Sequence, residues 1–331
     1  MSNADRTVLV TGATGRQGGA VIRHMLAKGW RLRALTRSPA SNASKELARQ
    51  GVEVVEGNLE DPPSLDRATR GVYGIYSVQD FWSVGAKREV QQGKNLADAA
   101  KKAGVQHLVY SSVGGAERNT GIPHWESKWE IERHIRQLGL PTTIFRPASF
   151  METYHILEVE VGILKGKLSD PIDGDKPYQT IATDDIGAFV ALAFDRPKDF
   201  IGLELEIAGS ELTNLEAAQV FSRVMGKPMK FRKLPLPLVR LVLGKEFYVM
   251  FRWFNEQGYK ADIPSLRRRY PEVHLHTLEE WLREEGWHRR ALRFRAPKEY
   301  FDCGFLGGTL WRARHQTANA FHRCSGAAQW R

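Results

Sequence analysis

The sequence predicts an α/β protein built on a doubly wound parallel sheet, followed by a smaller α+β domain. Two observations carry that prediction. The first 150 residues alternate short β-branched runs with stretches of helical apolar spacing, joined by short links. Inside the first such unit, three glycines separate an apolar run from an amphipathic one. At 331 residues the chain can bury one core of roughly 150 to 250 residues and still carry an appendage.

Residues 7–10 form an apolar β-branched run, and 18–26 follow with Val21, Ile22, Met25 and Leu26 at helical spacing. Residues 30–35 alternate as a second strand, 43–49 make a short helix, and 52–55 a third strand. Pro62 and Pro63 suit a first helical turn, where a missing N–H costs nothing. Residues 72–78 read as strand four, 87–103 as a long helix with Val90, Leu96, Ala97 and Ala100 on one face, and 105–110 as strand five. A helix over 124–138 and a strand over 142–145 complete six strands joined by five helices, which right-handed crossovers would wind on both sides of the sheet.

After Pro147 the rhythm changes. A Asp/Gly/Pro-rich loop over 170–177, a capped helix start at Thr183-Asp-Asp-Ile186, a strand candidate over 203–207 and helices over 214–225, 247–254 and 278–285 follow. This divides the chain into a dinucleotide-type domain over 1–150, a smaller substrate or partner domain over 151–287 that contributes to the pocket, and a basic tail over 288–331. The tail has no acidic residue from Gly304 onward and no periodicity, and reads as disordered or anomalous sequence outside the fold. Of the net charge of +10, seven charges lie in 286–331, so the main body carries only +3 and is not expected to bind nucleic acid directly. No apolar run is long enough to span a membrane, and the N-terminus lacks the apolar core of a signal peptide. A cytoplasmic or nuclear location, with no membrane partner, is expected. Cys303 and Cys324, the two cysteines, are too few for a disulfide scaffold or a four-cysteine zinc site.

The chemistry lies in Val8-Leu-Val-Thr-Gly12-Ala-Thr-Gly15-Arg-Gln-Gly18-Gly19. Gly12 permits a tight turn, Gly15 lets the backbone approach a pyrophosphate, and Gly18 lets the helix pack against the strand. The spacing G-x-x-G-x-x-G in the first βα unit reads as a Rossmann dinucleotide site, with the phosphates held at the positive helix end. At the end of strand two an NAD site would carry Asp or Glu for the ribose 2′-hydroxyl; this chain has Thr36-Arg37-Ser38-Pro39. Arg37 cannot accept that hydrogen bond but can pair with a 2′-phosphate, and Arg16 in the glycine loop adds a second cation, so NADP(H) is the expected cofactor. By topology Asn58 would meet the adenine, Gln79, Asp80 and Phe81 at the end of strand four would approach the nicotinamide-side ribose, and Ser111 and Ser112 at the end of strand five are further pocket positions.

These residues resemble the NmrA-like family, an atypical branch of the extended short-chain dehydrogenases. The resemblance rests on Thr11 to Gly19, Thr36-Arg37, Asp80-Phe81-Trp82, Glu89-Val-Gln-Gln-Gly-Lys94, His124-Trp-Glu-Ser-Lys-Trp-Glu-Ile-Glu132 and Arg146-Pro-Ala-Ser-Phe-Met-Glu152, and continues through Met250-Phe-Arg-Trp253 and Leu278-Glu-Glu-Trp-Leu282. It implies cofactor contacts from Gly12, Ala13, Thr14, Gly15, Arg16, Gln17, Arg37, Ser38, Asn58, Leu59, Gln79, Asp80, Phe81, Lys128, Ser149, Phe150, Met151 and Glu152. Asn58 stands where the family often has Asp, and Gln91 where one subgroup has Lys. Some members of the family are NADP(H)-sensing regulators of proteins such as fungal transcription factors; others are oxidoreductases, including reductases of secondary metabolism. Two roles are therefore open: an NADP(H)-dependent reductase of a small carbonyl, enone or quinone, or a catalytically silent redox sensor with a regulatory protein partner. Either could work as a homodimer.

Ordinary short-chain dehydrogenases place Tyr and Lys four residues apart on one helix face, the tyrosine moving the proton and the lysine gripping the nicotinamide ribose. Here Lys128 is present, but His124 holds the tyrosine position, and no tyrosine lies between Tyr110 and Tyr154. His124 as acid or base, Lys128 or water in that role, and no turnover at all are the three readings this leaves. Asp184 and Asp185 read as helix-capping residues, and His274 and His276 lack a third ligand, so no metal is expected.

Overall fold

The computed structural model describes residues 3–293, and the structural statements below concern these. The chain forms two compact units. The first combines the described residues up to Ala148 with Thr183–Ala208 and Lys260–Leu275; the second takes Ser149–Ala182, Gly209–Tyr259 and the described residues from His276 on.

The first unit opens with β1 (Thr7–Val10), α1 (Arg16–Ala27), β2 (Arg31–Thr36), α2 (Asn42–Arg49), β3 (Glu53–Glu56), α3 (Pro62–Ala68), β4 (Gly74–Ser77), α4 (Phe81–Lys102), β5 (His107–Ser111), α5 (Pro123–Gln137) and β6 (Thr142–Pro147). The second begins with β7 (Ser149–Phe150), α6 (Leu157–Leu164), β8 (Lys167–Asp170) and β9 (Pro177–Ile181). The chain returns to the first unit as α7 (Thr183–Asp195), α8 (Pro197–Phe200) and β10 (Glu204–Ile207). It re-enters the second as β11 (Ser210–Thr213), α9 (Asn214–Met225), β12 (Lys230–Lys233), α10 (Leu236–Val242) and α11 (Lys245–Glu256). After α12 (Ile263–Arg269) in the first unit, α13 (Leu278–Glu284) and α14 (Trp287–Arg293) close the second.

The first unit is a seven-stranded parallel sheet in the order β10-β6-β5-β4-β1-β2-β3. Strand order reverses between β1 and β4, which places a crevice at their C-terminal ends. Leu9, Ile75, Leu108 and Tyr110 on the strands and Leu96, Ala97 and Ala100 on α4 are buried in one shared core. Three features depart from the sequence-based expectation. The strand candidate over 203–207 belongs to this sheet, because Glu204 to Ile207 pair in parallel with Ile144 to Pro147. A single cut after residue 150 therefore does not describe the chain, since α7 and β10 complete the first unit across an inserted stretch of the second. Helix α4 also starts earlier than residue 87, with Asp80 as its N-cap and a break at Gly85, whose φ of 77° lies in the left-handed region.

On β6, Arg146 lies 8% exposed against a wholly buried Glu132 of α5. Its guanidinium forks onto that carboxylate at 3.0 and 2.7 Å and reaches Glu204 of β10 at 2.6 Å. Arg136 joins the same two carboxylates, at 2.7 Å to Glu132 and 2.6 Å to Glu204. Asp184, in the first turn of α7, bonds His24 and Arg23 of α1, each at 2.8 Å. Those partners, His24 foremost, hold its carboxyl well below the usual range, so it ties two helices together.

In the second unit β9 lies between β11, antiparallel, and β7, parallel, while β8 and β12 form a parallel pair. Its core gathers Phe221 of α9, Trp281 and Leu282 of α13, and Trp287. Helix α14 carries the fold past the expected start of the tail at 288: Trp287 is fully buried, and Arg290 pairs with Glu160 at 2.8 Å. The remainder of that tail, with both cysteines, lies outside the described residues.

Asp170, at the end of β8, has an enclosed carboxyl although the residue keeps some exposure; burial pushes it up to about 6 against a 2.7 Å hydrogen bond from the Ile172 amide and help from Asn214. An unfolded aspartate titrates near ~3.9, so the folded form holds this proton more tightly. This group's contribution is complete below about pH 4, falls by on the order of 2–3 kcal/mol as the pH rises through 6, and then levels. Asp170→Asn should remove that loss. Urea unfolding at several pH values is expected to show the variant gaining on the wild type between pH 4 and 7; parallel curves would refute the assignment.

Candidate cofactor site

The crevice between β1 and β4 is shaped by the glycine turn. Thr11 fastens the two strand ends: its hydroxyl donates to the Val78 carbonyl at 3.0 Å and accepts from the Val78 amide at 2.9 Å. Gly12 has a φ of 59°, and a Cβ there would stand 2.9 Å from the Val78 side chain. The Gly15 amide closes the turn on the Gly12 carbonyl at 2.8 Å. A Cβ on Gly18 would lie 2.2 Å from the Gly12 carbonyl oxygen, so only glycine lets α1 start this close to the turn. Gly15 caps α1 without a side-chain hydrogen bond, at the positive helix end.

The turn opens into a cleft of about 300 Å³. Gly12, Ala13 and Thr14 line it from the turn, Arg37 and Ser38 from the end of β2, Asn58 and Leu59 from the end of β3, and Gln79 and Asp80 from the segment after β4. Nine of the residues expected from sequence thus share one cavity. Arg37 is exposed and makes no hydrogen bond or salt bridge among the described residues. Its charge reaches Glu60, whose carboxyl is held low by the Gln92 amide first, then by Arg88 and, more weakly, by Arg37. Gln79 is 6% exposed; its amide nitrogen donates to Ser77 at 3.0 Å, and its buried carbonyl oxygen has no partner. The Ser112 hydroxyl at the end of β5 is likewise buried and unpartnered. The cleft is also lined by Ser41, Ser83, Val84 and Gln92, which sequence reasoning missed. The usable signal was Gln92's place in the Glu89 to Lys94 motif.

Other expected residues sit elsewhere. Arg16 is the exposed first residue of α1. Gln17 turns its carbonyl to the hydroxyls of Tyr76 at 3.0 Å and Ser111 at 2.7 Å, bracing α1 against β4 and β5. Burial pushes the Tyr76 phenol well up, which keeps it a donor. Phe81 begins α4 rather than ending β4, and packs against Trp82 at 5.3 Å and His124 at 5.1 Å between ring centroids. His124 is 9% exposed and also meets Trp82 at 4.9 Å and Trp125 at 4.5 Å. Lys128, one helical turn on, bonds the buried Glu89 of α4 at 2.9 Å. Ser149, Phe150, Met151 and Glu152 form β7 and the 3₁₀ turn after it, in the second unit. There the Ser149 hydroxyl bonds Tyr178 and, at 3.1 Å, Tyr259, while Met151 is fully buried in the unit's own core. No group of three His, Cys, Asp or Glu among the described residues could hold a metal ion.

A Rossmann-type parallel sheet with this turn and cleft agrees with a family-wide comparison that matches residues 4–282 to the NmrA-like family. The chain belongs to the NmrA-like family. One relative is the (4-alkanoyl-5-oxo-2,5-dihydrofuran-3-yl)methyl phosphate reductase of Streptomyces griseus subsp. griseus, 32% identical over 242 residues, covering 72% of this chain and 81% of the relative. Among solved structures with this NmrA-like fold, the NADPH-dependent quinone oxidoreductase of Escherichia coli in complex with NADPH superposes with a TM-score of 0.73 at 22% identity, covering 84% of this chain and 99% of that one. NmrA itself, a negative transcriptional regulator in complex with NADP, superposes with a TM-score of 0.67 at 23% identity, covering 85% and 95%.

Proposed function

We propose that the cleft holds NADP(H) and that the protein is an NADP(H)-dependent reductase of a small carbonyl, enone or quinone. One observation carries the reading: Arg37, in place of an acidic residue, lines the same cleft as the glycine turn that leads into helix α1. The α1 amides suit a pyrophosphate, and a guanidinium suits a 2′-phosphate that an acidic residue would repel. The fit extends to a buried polar group. An orphaned buried acceptor costs about 1–3 kcal/mol unless a ligand satisfies it, and Gln79, which lines the cleft, is such a group. When bound, the cofactor supplies or accepts the hydride. The residues of this chain would bind and orient it: the glycine turn and α1 the pyrophosphate, Arg37 and Ser38 the 2′-phosphate, Asn58 and Leu59 the adenine, Lys128 the nicotinamide-side ribose. The activities named for the Streptomyces and Escherichia relatives support the reductase side.

A second reading, a redox sensor with a protein partner, draws support from His124. The helix position of the usual proton donor holds an imidazole packed among three aromatic rings, and NmrA is a regulator. The two readings part on turnover. With the full chain and a panel of quinones and enones, the reductase reading expects steady NADPH oxidation, and Lys128→Ala should lower kcat/KM by about 100-fold. Tight NADPH binding with no oxidation across the panel would favour the sensor. Absence of NADPH binding would dispose of both.

A further inference from the structure

We infer that Glu89 is a positioning residue for Lys128, fixing its ammonium so that the remaining N–H donors serve the ribose on the nicotinamide side of the dinucleotide. The inference rests on the reading of the cleft as an NADP(H) site. Glu89 lies on α4, fully buried. Both of its carboxylate oxygens are used: one accepts from the Lys128 ammonium at 2.9 Å, the other from the Ser127 hydroxyl. A carboxylate that deep persists only if paired and hydrogen-bonded. The lysine side chain is only 14% exposed, and its ammonium makes no second hydrogen bond among the described residues. An ammonium has three donors, so two are left.

A lysine carries four rotatable bonds and loses affinity when it must be ordered by its ligand. Glu89 orders it beforehand. The two helices also leave little slack, because a Cβ on Gly93 of α4 would stand 2.5 Å from Ile131 of α5. The same helix α4 gives Ser83, Val84 and Gln92 to the cleft, Gln92 being one turn beyond Glu89. A purely structural role, with Lys128 only neutralising a buried carboxylate, predicts a different outcome in binding.

Calorimetric titration of the full chain with NADPH and with adenosine 2′,5′-bisphosphate, which lacks the nicotinamide half, separates the two. Glu89→Gln and Lys128→Met are each expected to weaken NADPH by about tenfold, the scale of one charge-assisted hydrogen bond, and to leave the bisphosphate within about twofold. The double variant should bind NADPH no more weakly than Lys128→Met, because both changes remove the same contact. Undiminished NADPH affinity in either single variant, equal loss of both ligands, or multiplying losses in the double variant would overturn the proposal. If circular dichroism shows Glu89→Gln unfolded, Glu89→Asp, which keeps the charge but withdraws it by one methylene, should give the same selective loss; full affinity there would also overturn it. A wild-type chain that binds neither ligand would instead overturn the cofactor reading, and this inference with it.

Discussion

Arg37→Glu is expected to weaken NADPH by on the order of a thousandfold, about 4 kcal/mol, while NADH binding changes by no more than a few-fold. Two effects add. The variant loses the charge-assisted bonds between a guanidinium and a phosphate, which contribute about 1.5–3 kcal/mol. It also sets a carboxylate against a dianion on a partly solvated rim, a repulsion of about 1–4 kcal/mol. Glu60 already lies close enough to feel the Arg37 charge, so the new carboxylate would join an acidic neighbour. NADH has a hydroxyl where NADPH has the phosphate, and a glutamate can accept its hydrogen bond. Parallel calorimetric titrations with the two reduced cofactors measure the ratio directly. Equal losses for both would remove Arg37 from the 2′-phosphate site.

Glu132→Ala is expected to cost about 3–5 kcal/mol of stability, the usual result of stripping the partner from a buried ion. Arg146 would keep one acidic neighbour within 3 Å, Glu204, and lose its forked carboxylate. Burial alone pulls that guanidinium toward losing its charge, and Glu132 is the largest influence holding it charged. At roughly 2–4 °C per kcal/mol for a unit of this size, the melting temperature should fall by about 10 °C. Replacing Glu132 and Arg146 together by methionine should recover most of the loss, since no charge is then left buried. A fall of under about 1 kcal/mol in urea unfolding of the single variant would show that water reaches the site and relieves it.

Local patterns made much of this legible beforehand. β1 to β6, the five helices α1 to α5 between them, and α9 could be read because strand alternation, helical spacing and cap residues are short-range signals. The shared place of the glycine turn and Arg37 at one cleft was equally readable, since each position follows from a residue type at a fixed distance from a strand. The seventh strand was misassigned because pairing of Glu204–Ile207 with β6 is set by tertiary contact, not by its own four residues. The sequence assigns Glu89 no role within its motif, because a glutamate on a helix ordinarily reads as a solvated face. Gln17 was assigned to the cofactor; its carbonyl turns to Tyr76 and Ser111, hydroxyls from strands far away in sequence.

The interleaving of the two units has a consequence for synthesis. A ribosome releases six strands of the sheet early, yet β10, which covers the β6 edge, emerges only after all of residues 149–182. Until then β6 offers unpaired amides and carbonyls, the kind of surface on which nascent chains stick to one another. Its own Arg146 also waits for Glu204. The nucleotide-binding half therefore cannot mature as a freestanding N-terminal module; its completion is postponed until most of the polypeptide exists.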